Sequence, residues 1–251
     1  MIEEHSASPR RQCVVLAGGL GTRMLPLTGR YPKSMLPAAG KPFVDHQLAW
    51  LASEGITDIV FSIGYRGGMI RDYVGGGLWG LRAAYVDEGD ELRGTAGALR
   101  LACRKGVLDP VFAVIYGDSY PRVPMRSLWD YSVSSGLPAC MAVLRNRGQW
   151  DRSNAIYRSG RVVRYEKAIC DPVPEAFEYI DSGVSILTSD LVERNVPEAG
   201  PSDLAPLFQD LSRHGLLAGF ETAERFYEIG SPQGLRDFEV FIAATPPNFP
   251  L

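Results

Sequence analysis

Short apolar runs alternate with longer amphipathic stretches along the first half of this chain. The runs at 13–16, 58–63, 81–86 and 111–116 are continuous enough to read as strands buried on both faces. Between them, 44–53, 69–74, 95–103 and 127–134 carry apolar residues at helical spacing. This β-α-β-α order predicts an α/β fold with a mostly parallel sheet and helices on both faces. Such sheets bind ligands beyond the carboxyl ends of their strands. After about residue 137 the pattern changes. Stretches 139–144, 155–158, 162–166 and 178–187 read as strands, and 190–195 and 202–214 as helices. A strand near 225–229 precedes a last helix from about 232 to 243, with Ser231 as its cap and Pro232 in its first turn. No repeat or long linker interrupts the pattern. One domain is expected over 1–251, with halves of about 12–136 and 137–245 sharing a sheet, and with 1–11 and 246–251 as frayed tails.

The first apolar run empties into Gly18, Gly19 and Gly21. Glycines there let the backbone approach a ligand closely and take positive φ. Arg23 and Lys33 follow, with the charge to neutralise phosphates. Two common phosphate loops are excluded. No glycine starts a Gly-x-x-x-x-Gly-Lys-Ser/Thr string. The Gly-x-Gly-x-x-Gly spacing fails here at Met24. It does occur at Gly75, Gly77 and Gly80, but after a helix-like stretch and before a strand-like one, the reverse of the required order, so it reads as a surface turn.

The whole string is more telling than its glycines. Gly18-Gly19-x-Gly21-Thr22-Arg23-x-x-Pro26-Leu27-Thr28, then Pro32-Lys33, Pro37 and Gly40-Lys41-Pro42, resembles the signature of the sugar-1-phosphate nucleotidyltransferases. That resemblance implies a Rossmann-like fold of the glycosyltransferase A type. It also implies a reaction in which an NTP and a sugar 1-phosphate give an NDP-sugar and pyrophosphate, with Mg²⁺.

Residue by residue, the resemblance places Leu16, Ala17, Gly18, Gly19, Gly21 and Thr22 around the nucleotide, and Arg23 and Lys33 on its phosphates. Without it, Arg23 and Lys33 read as solvated charges, the usual fate of such residues. Asp118 ends an apolar run in Gly117-Asp118 and is implied as a Mg²⁺ ligand; the plainer reading is a turn Asp. A second ligand is expected near the C-terminus, where the family carries Asp in an aromatic-x-Asp-x-Gly-Thr/Ser-Pro string. Here the string is Phe226-Tyr227-Glu228-Ile229-Gly230-Ser231-Pro232, so Glu228 stands in that place, one methylene longer. Gly94-Thr95-Ala96 matches the stretch that meets the base, with Glu88 nearby; alone, Thr95 reads as a helix cap. Glu166-Lys167 matches the sugar-site pair, although neighbours on a strand face opposite ways unless the strand ends there. Asp181, Gly183 and Asn154 complete the sugar-phosphate set. The wording around Tyr116-Gly117-Asp118 and Tyr179-Ile180-Asp181 is similar to short enzymes acting on heptose, mannose or N-acetylmuramic acid 1-phosphates.

Composition narrows the rest. A formal charge of −3 gives no basic field for nucleic acid, and no apolar run approaches the length of a membrane span. The polar start of the chain lacks a signal core, and Cys13, Cys103, Cys140 and Cys170 are too scattered for metal or redox motifs. A reducing cytoplasm fits these features. The chain ends without room for a hexapeptide-repeat domain. A homodimer is compatible with the sequence but not readable from it. Two other functions were weighed: a non-catalytic subunit that binds nucleotide-sugars, disfavoured by the presence of Arg23, Lys33 and Asp118, and a glycosyltransferase, disfavoured by the lack of any Asp-x-Asp.

Overall fold

The computed structural model describes residues 10–21, 24, 27–91, 93–169 and 171–245. In chain order the elements are β1 (Gln12–Ala17), β2 (Pro37–Ala38), β3 (Lys41–Pro42), α1 (Phe43–Ser53), β4 (Asp58–Ile63), α2 (Gly67–Val74) and β5 (Arg82–Asp87). Next come α3 (Gly94–Arg104), β6 (Val111–Tyr116), β7 (Ser119–Tyr120), α4 (Met125–Ser135), β8 (Ala139–Arg145), β9 (Ala155–Arg158) and β10 (Arg161–Tyr165). The chain continues through β11 (Tyr179–Thr188), α5 (Ser189–Asn195), α6 (Leu204–Arg213), β12 (Leu217–Thr222), β13 (Tyr227–Glu228) and α7 (Pro232–Ala244).

Nine strands form one sheet in the order β5-β4-β1-β6-β11-β8-β12-β10-β9. The first four are parallel, as the β-α-β-α reading requires. β11 then runs antiparallel between β6 and β8, and joins the two halves edge to edge. Side chains alternate across the sheet with period two. Cys13, Val15 and Ala17 of β1 pack on one face with α1, α2 and α4. Val14 packs on the other with α3, α5 and α6. Each fully buried Leu, Val or Phe in these layers contributes about 1.5–3 kcal/mol, so the sheet is a stiff platform for what projects from its edge.

Two local expectations meet different fates. Ser231 caps α7 as expected, its Oγ accepting from the Gly234 N–H at 3.1 Å. Thr95 does not cap its own helix: α3 begins at Gly94. Its Oγ1 instead accepts from the N–H of Leu204 at 2.8 Å and so caps α6. α6 accordingly begins at Leu204 rather than Ser202. The expected roles of Cys13, Cys140 and His46 are structural. Both cysteines are fully buried, and the His46 ring bonds the Ala38 carbonyl at 2.9 Å and packs edge-on to Phe238. The Gly75–Gly80 spacing lies in the turn between α2 and β5.

Candidate active site

β1 and β6 lie side by side and end together, so the Gly18 loop and Gly117-Asp118 open onto one crevice. A side chain at Gly18 or Gly117 would press on its neighbours. A Cβ on Gly18 would fall 2.3 Å from Glu88 Oε1, and one on Gly117 would fall 2.6 Å from Ser34 Oγ. Gly21 has φ +63°, a conformation that L side chains rarely adopt. The turn after β6 is held from below by the buried Gln47 of α1, whose amide donates to the Tyr116 carbonyl at 2.9 Å and to the Ser119 carbonyl at 2.6 Å.

The resulting cavity holds about 440 Å³, within the usual range for small-molecule sites. Leu16, Ala17, Gly18, Gly19, Gly21, Glu88, Gly94 and Thr95 line it, with Lys33 and Asp118. Ala96 stands just behind this wall: its N–H donates to the Ser202 carbonyl at 2.9 Å. Thr22 and Arg23 lie outside the described residues.

The cavity has two chemically distinct ends. At one, Glu88 accepts from Ser62 Oγ at 2.9 Å. Burial raises its pKa, against the bonds from Ser62 and the Arg93 backbone. At the other, Lys33 Nζ lies 2.7 Å from Asp118 Oδ2, with both side chains mostly covered. β13 pairs with β7 so that Glu228 lies opposite Ser119, and the Ile229 N–H donates to the Asp118 carbonyl at 2.9 Å. Two carboxylates distant in sequence thus become neighbours. Glu228 faces open solvent in the cleft, yet the protein crowding it pushes its pKa up to about 7. The charges of Asp118 and Asp181 add to that rise, and Lys33 opposes it.

The residues expected at the sugar phosphate do not line this cavity, and several are bonded to one another. Asn154 Oδ1 accepts from the Asp181 N–H at 2.9 Å, and Asp181 Oδ1 from the Gly183 N–H at 2.8 Å. The Glu166 N–H donates to the Asn154 carbonyl at 2.9 Å. β10 stops at Tyr165, so Glu166 and Lys167 escape strict strand alternation. Lys167 lies within electrostatic reach of Asp181, whose pKa burial pushes up to about 6. Glu166 is already engaged: its carboxylate accepts from Arg164 at 3.1 Å, Arg213 at 3.4 Å and Gln209. Tyr116 links the two regions. Burial, then the charges of Asp181, Glu228, Asp118 and Asp203, push its phenol pKa up.

Among the described residues no group of three or more His, Cys, Asp or Glu side chains is arranged to hold a metal. Asp118 and Glu228 make a pair. That fits Mg²⁺, which commonly takes one or two carboxylates and completes its shell with phosphate oxygens and water. A surplus of carboxylates around a single lysine also calls for added positive charge.

The family model described as "Nucleotidyl transferase" matches residues 12–144, which is the cavity-bearing half and the start of the next. The chain belongs to the nucleotidyl transferase family. A D-glycero-alpha-D-manno-heptose 1-phosphate guanylyltransferase from Aneurinibacillus thermoaerophilus is 31% identical over 157 residues, covering 62% of this chain and 67% of that one. A mannose-1-phosphate guanyltransferase from Neurospora crassa is 27% identical over 228 residues, covering 88% of this chain but only 61% of its own length. Among solved structures, HddC from Yersinia pseudotuberculosis complexed with GMP-PN matches with TM-score 0.75 and 25% identity over 92% of this chain and 99% of that one. A UDP-glucose pyrophosphorylase complexed with UDP-glucose matches with TM-score 0.73 at 18% identity over 94% of this chain and 99% of that one, a likeness of fold alone. The fold of this nucleotidyl transferase is therefore Rossmann-like, of the glycosyltransferase A type.

Sequence reasoning missed several residues of the nucleotidyl transferase cavity. Ser34, Arg93, Tyr116 and Asp203 also line it. Ser34 and Tyr116 adjoin Lys33 and Gly117-Asp118, so their positions were available from the motif. Arg93 likewise adjoins Gly94, whereas Asp203 carried no such signal. Asp203 reaches the cavity because its Oδ1 accepts from the N–H and hydroxyl of Thr95, at 3.2 and 3.3 Å.

Proposed function

We propose that this protein is a sugar-1-phosphate guanylyltransferase, joining GTP and a mannose-type or heptose 1-phosphate to give a GDP-sugar and pyrophosphate. The observation that carries this reading is the cavity's polarity: one half-buried carboxylate, Glu88, lines it after β5, and the Lys33–Asp118 pair lines it after β6, with Glu228 brought beside Asp118 by the pairing of β13 with β7. An ionised carboxylate only accepts hydrogen bonds. Guanine is the base that offers it two adjacent donors, N1–H and the N2 amino group. Thymine and uracil offer one N–H flanked by carbonyl oxygens, which a carboxylate repels. The two guanylyltransferase relatives support the same base.

In this mechanism the glycine loop seats the triphosphate by close backbone approach. A phosphate oxygen of the sugar 1-phosphate attacks the α-phosphorus in line with the departing pyrophosphate. Lys33 stabilises the negative charge that grows on the α-phosphoryl oxygens, and Arg23 is assigned to the β- and γ-phosphates. Asp118 holds Lys33 in place and so fixes where that charge acts; positioning and electrostatics supply most of the acceleration in phosphoryl chemistry. Asp118 and Glu228 would hold Mg²⁺, which would add charge neutralisation at the phosphates. Asn154, Glu166, Lys167, Asp181 and Gly183 are assigned to the sugar phosphate.

Pyrophosphate release tests the reading. Each common NTP is crossed with hexose and heptose 1-phosphates, with Mg²⁺ present. Release with GTP together with mannose 1-phosphate or a manno-heptose 1-phosphate is expected. Equal release from UTP or dTTP overturns the base assignment, and release with neither sugar overturns the acceptor.

A further inference from the structure

Glu228 sits in a strand of only two residues and faces three other acids. Asp118, Asp181 and Asp151 all add negative charge around it, and Lys33 opposes them. Two residues of pairing with β7 are a weak hold for a carboxylate under that repulsion. The opposite face of the segment supplies what the pairing lacks.

Side chains alternate along the segment. Phe226 is buried with Leu144 and Ile180, and Glu228 shares its side of the strand. Arg225 and Tyr227 project the other way, into a stack of five layers. Trp150 lies on Arg225 at 4.2 Å, and Arg225 lies on Tyr227 at 4.7 Å. Tyr227 stacks on Phe241 of α7 at 4.5 Å and 20°, and Phe241 carries Arg122 at 4.6 Å. The guanidinium of Arg225 is thus sandwiched between two rings. One of its nitrogens donates to Asp237 of α7 at 2.6 Å, while its Nε is buried with no hydrogen-bond partner. Its flat faces, more than its full set of donors, are what the site uses.

The layers come from separate parts of the chain. Trp150 is presented by the loop after β8, where the buried Asn146 accepts from the Trp150 N–H at 3.1 Å and donates to the Asp151 carbonyl at 2.6 Å. Arg122, at the far end, pairs with Glu224 at 2.9 Å. The segments flanking β7 and β13 are therefore tied together just outside the Asp118–Glu228 pair. α7 also presses on the strand, since a Cβ on Gly234 would fall 2.0 Å from the Glu228 carbonyl oxygen.

We propose that Arg225, held flat between Trp150 and Tyr227, is a positioning residue that aims Glu228 at the metal-binding edge of the cleft. This rests on the reading of Glu228 as a metal ligand. The stack explains how a Glu works in that place. Its extra methylene gives the carboxylate more freedom, and clamping its backbone removes some of it.

Equilibrium binding of Mn²⁺ in the presence of GTP, read as free Mn²⁺ by electron paramagnetic resonance, tests this without turnover. Glu228→Gln is expected to weaken Mn²⁺ about tenfold. Arg225→Ala should come close to that loss, while GTP binding without metal changes less than twofold. Arg225→Lys keeps the charge beside Asp237 but has no flat face, so it should recover only part of the loss. Trp150→Ala removes the outer layer and leaves the Arg225–Asp237 pair in place. It should weaken Mn²⁺ about threefold, and it keeps the test open if Arg225→Ala does not fold. Wild-type Mn²⁺ affinity in Arg225→Ala or Trp150→Ala, with Glu228→Gln impaired, overturns the positioning role. Wild-type affinity in Glu228→Gln overturns the metal reading of Glu228, and this inference with it.

Discussion

The two ends of the cleft are built from different materials. The end assigned to the nucleotide is mostly backbone: a parallel strand end, Gly18 and Gly117 in close approach to the side chains of Glu88 and Ser34, and one half-buried carboxylate, Glu88. The end assigned to the sugar phosphate is mostly charge: Asp181 accepts from the Gly183 N–H, Glu166 accepts from Arg164, Arg213 and Gln209, and Glu228 and Lys167 add their charges. A backbone site is fixed by sterics and survives in the sequence as a motif. A charged site is fixed in part by partners that lie far apart in the chain, as Gln209 and Arg213 are from Glu166.

The sharpest break in this comparison is at Asp118, where the two materials meet. Asp118→Asn removes both the partner of Lys33 and a carboxylate proposed to hold the metal. A fall in kcat of at least about a hundredfold is expected, about 2.7 kcal/mol on the barrier, with an unchanged circular dichroism spectrum. Near-normal turnover in Asp118→Asn would mean that charge at this point does not govern the reaction.

At the nucleotide end, two substitutions sharpen the claim that Glu88 reads the base. Glu88→Gln leaves one guanine donor facing an amide donor. kcat/KM for GTP should fall about thirtyfold, or about 2 kcal/mol, the range for an unmet bond to a charged group. Gly18→Ala attacks the same contact from the backbone, because its Cβ would displace the Glu88 carboxylate. The carboxylate is the free end of a flexible side chain, so the thermal midpoint should barely move while preference for GTP over UTP narrows. A large loss of stability with preference intact would show that Gly18 serves only packing.

This contrast also explains what was legible in the sequence. β1, its glycines and Gly117-Asp118 were readable because strand period and steric need each leave a local trace. Glu228 was readable only through the string around it. Asp203 was not readable, since a charged residue in a loop looks the same whether it faces solvent or a cavity. Thr95 shows the same limit. Its polarity before an apolar helix correctly suggested a cap, but the helix it caps begins 109 residues later. Glu166 was expected to be free for a sugar; of the arginines that engage it, Arg164 lies two residues before it on β10, and Arg213 lies on a helix far along the chain.

Thr95 gives the next prediction, because it fastens the second half to the first. Thr95→Val keeps the volume but removes the acceptor of the Leu204 N–H and the hydroxyl donated to Asp203. Loss of a cap costs about 1 kcal/mol, which for a chain of this size lowers the melting midpoint by roughly 2–4 °C. Calorimetry should show that shift in a single transition. An unchanged midpoint would mean that the sheet, through β11, joins the halves without help from this latch.

The smallest effect is expected farthest from the cleft, at the amino ends of β4 and β5. There Asp58 takes a two-pronged pair from Arg82, Nε to Oδ1 at 2.9 Å and a second nitrogen to Oδ2 at 2.8 Å. Thr57 donates to Oδ2 at 2.6 Å, and Arg10 adds charge at 3.4 Å. The bond from Arg82 comes first in holding the Asp58 pKa below its ordinary value, against the cost of burial. A carboxyl depressed on folding stabilises the fold above its unfolded pKa, about 3.9. That contribution is lost as pH falls through the lower, folded value. Asp58→Asn should therefore melt below wild type at pH 6–7, and the gap should close as pH drops below about 4. The pair lies at the opposite end of the strands from Asp118, so the reaction has no use for its charge. A gap that stays constant down to acid pH would trace the loss to the shape of the side chain rather than to its ionisation.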